Sequence, residues 1–251
     1  MIDFHSHILP GIDDGAENIE ASFELLKTEL KQGFSDIVLT PHFYPDYMDY
    51  NCFLQRRAAA YSLLSSGAGE HGFDDLKLYS GAEIRISPKL FELDCKSLCV
   101  EGTNLLLLEF PDYMIPPYAD DLFSDLTARG FKIILVHAER YSFNNNSNYL
   151  YYLVRKGILI QVNIGSCLNK GKKKVFELME HKLVHLLGSD THSMDKRPPR
   201  WDSGLSVLNK KFGSDYTAGL MSNAGALLKG EDLILPEPIK FTKRFVFKLF
   251  N

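Results

Sequence analysis

Seven short apolar runs alternate along this chain with stretches of helical periodicity, and that alternation limits the fold more than any other feature. The runs span residues 2–7, 36–42, 78–83, 104–110, 132–140, 158–164 and 184–192. Between them a helix is predicted from about Asn18, with Ile19, Phe23, Leu26 and Leu30 on one face and Gly33 as its stop. Further helices are expected over residues 53–64, over 116–129 and from the basic stretch 170–174 onward. Strands alternating with helices form βαβ units around a parallel sheet, so the chain is α/β. Seven units, one fewer than eight, predict a TIM-like (β/α) barrel whose functional face is the carboxyl end of the strands. With 251 residues, 45% of them apolar, and no long polar tract, residues 1–251 read as a single domain.

All but the sixth run end on or beside a side chain that can bind a metal. His5 and His7 close the first, His42 the second, Glu83 the third, Glu109 the fourth, His137 the fifth, and Asp190 and His192 the seventh. Two residues apart on a strand, His5 and His7 share a face, as do Asp190 and His192. Asp14, in the loop after the first run, can join them. A single histidine or glutamate at a strand end is usually a satisfied polar residue; the coincidence at successive ends carries the inference. These nitrogen and oxygen donors exceed the three or four that one catalytic zinc takes, so two or three divalent ions sharing carboxylates are expected. An imidazole and carboxylate set without thiolate suits manganese first, with iron or zinc as alternatives, and magnesium less. Such ions lower the pKa of a water and polarise a phosphoryl oxygen, which is hydrolytic chemistry.

Composition removes other classes. The net charge of -4 argues against a nucleic-acid partner, which would need a basic stripe. No signal-like start and no apolar run of membrane-spanning length is present, so no integral membrane segment is expected and the location is read as cytoplasmic. Cys52, Cys95, Cys99 and Cys167 lack Cys-x-x-Cys spacing and are read as buried reduced thiols. A cysteine phosphatase loop needs arginine six residues after its cysteine; those positions hold Ala58, Glu101, Leu105 and Lys173.

Several motifs together point to a family. His5-x-His7, Asp14 before Gly15, His42, Glu83, Glu109, His137 and Asp190-x-His192 resemble the PHP (polymerase and histidinol phosphatase) superfamily. Met1-Ile2-Asp3-Phe4-His5-Ser6-His7-Ile8, Asp13-Asp14-Gly15, Gly81-Ala82-Glu83, His137-Ala138-Glu139-Arg140-Tyr141, Gln161-Val162-Asn163 and Ser189-Asp190-Thr191-His192 with Arg197-Pro198-Pro199 narrow the fit. Within the superfamily they look like the bacterial protein-tyrosine phosphatases of capsule and exopolysaccharide systems. The resemblance implies a distorted (β/α)7 barrel, a trinuclear site and hydrolysis of phosphotyrosine on the tail of a bacterial tyrosine autokinase. It also implies that Arg140 and Arg197 hold the phosphate, a role suited to a planar guanidinium fork.

Two alternatives stay open: a PHP phosphomonoesterase for a small ester such as histidinol phosphate, and a non-catalytic metal-binding interaction module. An amidohydrolase is disfavoured because Glu109 stands where that fold commonly carries a bridging lysine. The loops 43–50 and 141–149 would rim the mouth and select the substrate, or simply pack down. The basic and apolar segment 241–250 is expected to pack on the barrel or on a neighbouring subunit, which admits a homo-oligomer; contact with a membrane surface is the other reading.

Overall fold

Nine strands carry the seven expected runs, because two of the runs are broken in the middle. A computed structural model describes residues 1–73, 75–111, 114–141 and 148–242. Its strands are β1 (Ile2–Ser6), β2 (Asp36–Leu39), β3 (His42–Phe43), β4 (Lys77–Ser80), β5 (Glu83–Arg85), β6 (Leu105–Glu109), β7 (Lys132–Leu135), β8 (Leu159–Asn163) and β9 (Leu186–Gly188). The helices are α1 (Ile19–Lys31), α2 (Tyr50–Ala68), α3 (Ala119–Ala128), α4 (Tyr149–Arg155), α5 (Lys172–Glu180), α6 (Trp201–Phe212) and α7 (Ser214–Leu228). Residues 142–147 of the second rim loop and 243–250 of the terminal segment lie outside the described residues.

Every strand pair is parallel, in the orders β1-β2-β4 and β3-β5-β6-β7-β8-β9. Between β2 and β3 stands Pro41, which has no N–H to give to a ladder. Pairing nevertheless runs across the break: the Gly81 N–H donates to the Leu39 carbonyl at 2.9 Å and the Glu83 N–H to the Pro41 carbonyl at 3.1 Å. At the other side, Ser6 bridges Thr191, and the Asp190 and His7 N–H groups donate to the His5 and Thr191 carbonyls at 2.9 Å.

The sheet is curled, and period-two alternation divides its side chains between two cores. Phe4, Val38, Leu105, Leu107, Ile134 and Leu186 pack together on one face, with Ala224 and Leu227 of α7. Leu106, Leu108, Ile133 and Leu135 point the other way, into the layer beneath the helices. Both faces are dry, which is why the runs read as continuously apolar. Full burial of each such leucine or isoleucine stabilises the fold by roughly 1.5–3 kcal/mol.

Several expectations need correction. Helix α1 is capped by Asn18, whose side chain accepts the Ala21 N–H at 2.9 Å, and ends before Gly33 at φ +86°, as expected. Its buried face, however, is Ser22, Leu25, Leu26 and Glu29, while Leu30 is 39% exposed. The helix is turned so that Glu29 lies buried beside Asp3, a choice made by the packing partner rather than by the apolar pattern. The fifth and seventh runs are not strands to their ends. β7 stops at Leu135 and β9 at Gly188, and His137 and Asp190 then adopt left-handed φ of 56° and 53°. Helices α4, α6 and α7 have no counterpart among the helices expected from the sequence. Of the cysteines, Cys95, Cys99 and Cys167 are buried free thiols, but Cys52 is exposed.

Candidate metal centre

The strand ends bring all nine expected donors to one place. They form three groups, within each of which one donor atom per residue lies within 4.8 Å of the others: His7, Asp14, His42 and His192; His5, Glu83, His137 and Asp190; and His42, Glu83 and Glu109. His42 and Glu83 face each other in the β3–β5 register, and Glu109 closes β6 one strand further on. His137 and Asp190 reach the cluster through their left-handed turns, which turn the chain out of the strand just where a ligand is wanted. Such backbone costs of order 1–3 kcal/mol for a residue other than glycine, and it concentrates at functional sites.

The spacing is that of donors around a cation. Two ligand atoms each about 2.1 Å from a common ion are about 3.0 Å apart at a right angle and about 3.4 Å apart at the tetrahedral angle. His5 Nε2 lies 3.2 Å from both His7 Nε2 and Glu83 Oε2, and His7 Nε2 is 3.1 Å from Glu83 Oε2 and 3.5 Å from Asp190 Oδ1. Asp14 Oδ1 is 3.3 Å from Nε2 of both His42 and His192, while His42 Nδ1 is 3.1 Å from Glu83 Oε2. His137 Nε2 also contacts Glu83 Oε1.

A second test comes from unpaired atoms. His42 Nδ1, His192 Nε2 and Asp190 Oδ1 are buried without a hydrogen-bond partner. An unpaired buried polar atom costs about 1–3 kcal/mol, which a bound ion would relieve. The donor set therefore fits divalent ions.

Outer partners fix which ring nitrogen faces the cluster. A carboxylate only accepts, so the 2.7 Å contact of His7 Nδ1 with Asp13 Oδ2 requires the proton on Nδ1 and leaves Nε2 free as a ligand. His192 Nδ1–H donates to the Asp190 carbonyl at 2.9 Å, and His137 Nδ1–H to Asn163 Oδ1 at 3.1 Å. Asn163 in turn donates from Nδ2 to Asp190 Oδ2 at 2.8 Å and is itself held by Gln161 Nε2 at 2.9 Å. Asp13, Asn163 and Gln161 were given no role by the sequence reading. The period-two pair Gln161 and Asn163, at the end of the sixth strand, was the signal. Gly15 packs so closely that a Cβ would stand 2.1 Å from the His7 carbonyl, which pins the loop carrying Asp14 against β1.

Electrostatics follow the same plan. Burial lowers the His5 imidazolium to about 4. Burial acts the same way on His7, but the adjacent Asp13 carboxylate outweighs it and raises the group to about 9. His42 is raised to about 11, burial being outweighed by Asp14 and Glu83. Glu109 is raised to about 7 by burial and by the nearby Glu83 charge. Asp190 is held well below the carboxylate range, burial being overcome by His137 and Arg140.

Both expected arginines sit at the rim. The Arg140 guanidinium contacts Asp190 Oδ2, and Arg197 reaches Asp14 Oδ2 at 3.0 Å and Asp190 Oδ2 at 3.4 Å. Asp190 thus stands between two settings: Oδ1 faces imidazoles and Oδ2 faces guanidinium groups.

The family model described as "Capsular polysaccharide synthesis, CpsB/CapC" matches residues 1–229. The tyrosine-protein phosphatase YwqE of Bacillus subtilis is 33% identical, over 98% of this chain and 100% of its own length. The tyrosine-protein phosphatase CpsB of Streptococcus pneumoniae is 29% identical over 85% of this chain and 92% of that protein. A solved structure described as one of YwqE from Bacillus subtilis and CpsB from Streptococcus pneumoniae, unique metal-dependent tyrosine phosphatases, superposes with a TM-score of 0.89. It is 31% identical and covers 97% of this chain and 100% of that one. By the extent of these matches, which take in every strand that carries a donor, the chain belongs to the CpsB/CapC family of capsular polysaccharide synthesis.

Proposed function

We propose that this chain is a metal-dependent protein-tyrosine phosphatase. The observation that carries this reading is the position of Asp190, which joins the metal-capable cluster to the two rim guanidinium groups. A phosphoryl group needs both: cations near its bridging and transferred oxygens, and a planar donor fork for its equatorial oxygens. The seven-run sheet is read as a distorted (β/α)7 barrel in one domain, with the site at its carboxyl end. His5, His7, Asp14, His42, Glu83, Glu109, His137, Asp190 and His192 would hold two or three divalent ions, manganese first and iron or zinc next. Such ions supply Lewis acidity and a water acidic enough to give hydroxide near neutral pH.

The chain's own residues do the rest. Each guanidinium has five N–H donors, and the carboxylate contacts of Arg140 and Arg197 engage only part of each fork. The remaining donors are available to phosphate oxygens, with Asp190 and Asp14 keeping the forks in place. Asp13 and Asn163 hold His7 and His137 in the tautomer that presents Nε2. A tyrosine phenol, with a pKa of about 10, leaves readily enough that a strong general acid is less necessary.

The proposed substrate is the phosphotyrosine tail of a bacterial tyrosine autokinase controlling capsule or exopolysaccharide synthesis, met in the cytoplasm. Among the described residues no helix is long and apolar enough to cross a membrane. The test is phosphate release from a tyrosine-phosphorylated peptide and from histidinol phosphate, with metal-stripped protein reloaded separately with manganese, iron, zinc or magnesium. Metal-dependent release from phosphotyrosine alone is expected. Preference for histidinol phosphate would replace the substrate, and no release with any ion would favour a non-catalytic module.

A further inference from the structure

Beside the metal centre, and sharing only Asp190 with its donor set, lies a cavity of about 250 Å³. At ~30 Å³ per water it has room for about eight, more than one phosphate group would displace. Its walls are the turn after β8 (Ile164–Leu168, with Asn169) and the segment leading into α6. Four basic side chains line it, Arg140, Lys196, Arg197 and Arg200, against a single acid, Asp190. Arg140 and Arg197 are tied to Asp190 and Asp14 at the rim. Lys196 and Arg200 are not: no acidic group among the described residues stands within salt-bridge distance of either. Asn169 turns its side-chain oxygen to the Gly171 N–H at 2.7 Å, which leaves its amide N–H groups for other partners.

Two uncompensated cations in one concave wall, contiguous with a phosphate-holding pair, form a field that selects for a second negative charge. We infer that this cavity is a subsite for a second anionic group of the substrate, with Lys196 and Arg200 as its binding residues. The group is carried on the same peptide as the phosphotyrosine, either an acidic side chain or a second phosphotyrosine. The inference rests on the phosphotyrosine reading of the neighbouring site. It adds that the enzyme discriminates among phosphotyrosines by the charge that flanks them.

The test uses the full chain loaded with manganese and three peptides alike except beside the phosphotyrosine: alanine flanks, glutamate flanks, or a second phosphotyrosine. Turnover is measured for each, and binding is measured by calorimetry with the non-hydrolysable phosphonomethyl-phenylalanine forms. The unaltered protein is expected to favour the charged peptides over the alanine peptide roughly tenfold in kcat/KM and in affinity, the scale of one or two charge-assisted hydrogen bonds. That preference should shrink in added salt. In the double variant Lys196→Ala, Arg200→Ala the ratio should fall toward unity, and Arg200→Glu should invert it. Preference for glutamate flanks or for the second phosphate identifies which anion the subsite takes.

Equal binding of all three peptides overturns the subsite whatever the turnover, as does a preference that survives the double variant. Failure of the phosphatase reading looks different: flank-dependent binding with no phosphate release under any metal.

Discussion

Replacing Asn163 by alanine tests whether the orientation of the ligands, and not only their presence, makes the metal centre. Asn163 is not one of the nine candidate donors, but bonds two of them, His137 at 3.1 Å and Asp190 at 2.8 Å. The bond to the Asp190 carboxylate is charge-assisted and worth about 1.5–3 kcal/mol; that to the neutral imidazole is worth about 0.5–1.5 kcal/mol. Together they amount to roughly 2–4.5 kcal/mol, and about 1.4 kcal/mol corresponds to a factor of ten in affinity. Part of the loss is absorbed by relaxation, because Arg140 and Arg197 still hold Asp190 Oδ2.

Metal affinity is therefore expected to fall by about 10- to 100-fold, the usual cost of removing an outer partner. The assay is manganese retention against a competing chelator, paired with kcat/KM on a phosphotyrosine peptide at limiting and at saturating metal. Activity should fall at limiting metal and return in large part at saturation. A folded variant with affinity and activity within about threefold of the parent would refute the reasoning, since Asn163 would then be holding nothing that matters.

Three further outcomes follow from the same geometry. Arg197→Ala should lower kcat/KM on phosphotyrosine by about 10- to 100-fold with metal content unchanged, from loss of charge-assisted donors, and Arg197→Lys should recover only part; loss of bound metal in either would move Arg197 from substrate binding to support of Asp14. Gly15→Ala should displace the Asp14 loop, because its Cβ meets the His7 carbonyl at 2.1 Å, and both metal retention and turnover should drop; normal metal retention would show that the loop tolerates the shift. His185 is buried with its pKa lowered to about 4, and its Nδ1 accepts the Ile160 N–H at 2.9 Å. Between the unfolded value of about 6.5 and that folded value, the unfolded chain binds a proton that the folded one does not, so stability falls as pH drops through this window, by on the order of 3 kcal/mol. His185→Asn keeps an acceptor for Ile160 and should flatten the unfolding free energy over that range; an unchanged slope by urea titration would assign the acid sensitivity elsewhere.

Eight of the nine candidate donors are legible in the sequence because each lies at or beside the end of an apolar run, and the direction of a parallel sheet sends all such ends to one side; Asp14, in the loop after the first run, is the exception. His5 with His7, His42, Glu83 and Glu109 follow directly from that rule. His137 and Asp190 were named for the same reason but reach the cluster by another route: the runs containing them read as strand to the end, whereas the chain leaves the strand through left-handed residues. Apolarity cannot show that turn, since its cost is met only by contacts made after folding. The stripe of α1 was misplaced by the same limit. A 3.6-residue period says that a face is buried, and the position of Asp3, Phe34 and Trp201 decides which one.

What the sequence determined by itself is the parallel α/β plan and the nine candidate donors that gather in one cluster, because strand periodicity and strand polarity are local properties of the chain. What only the tertiary structure decided is the order of the donors in space: which imidazole nitrogen faces inward, that Asp13 and Asn163 hold it there, and that Asp190 joins the cluster to the arginines. Those depend on distances of about 3 Å between residues as far apart in sequence as Asp14 and Arg197. Hydrogen bonds and ion contacts are short-ranged and directional, so no pattern along the chain specifies them until the strands are side by side.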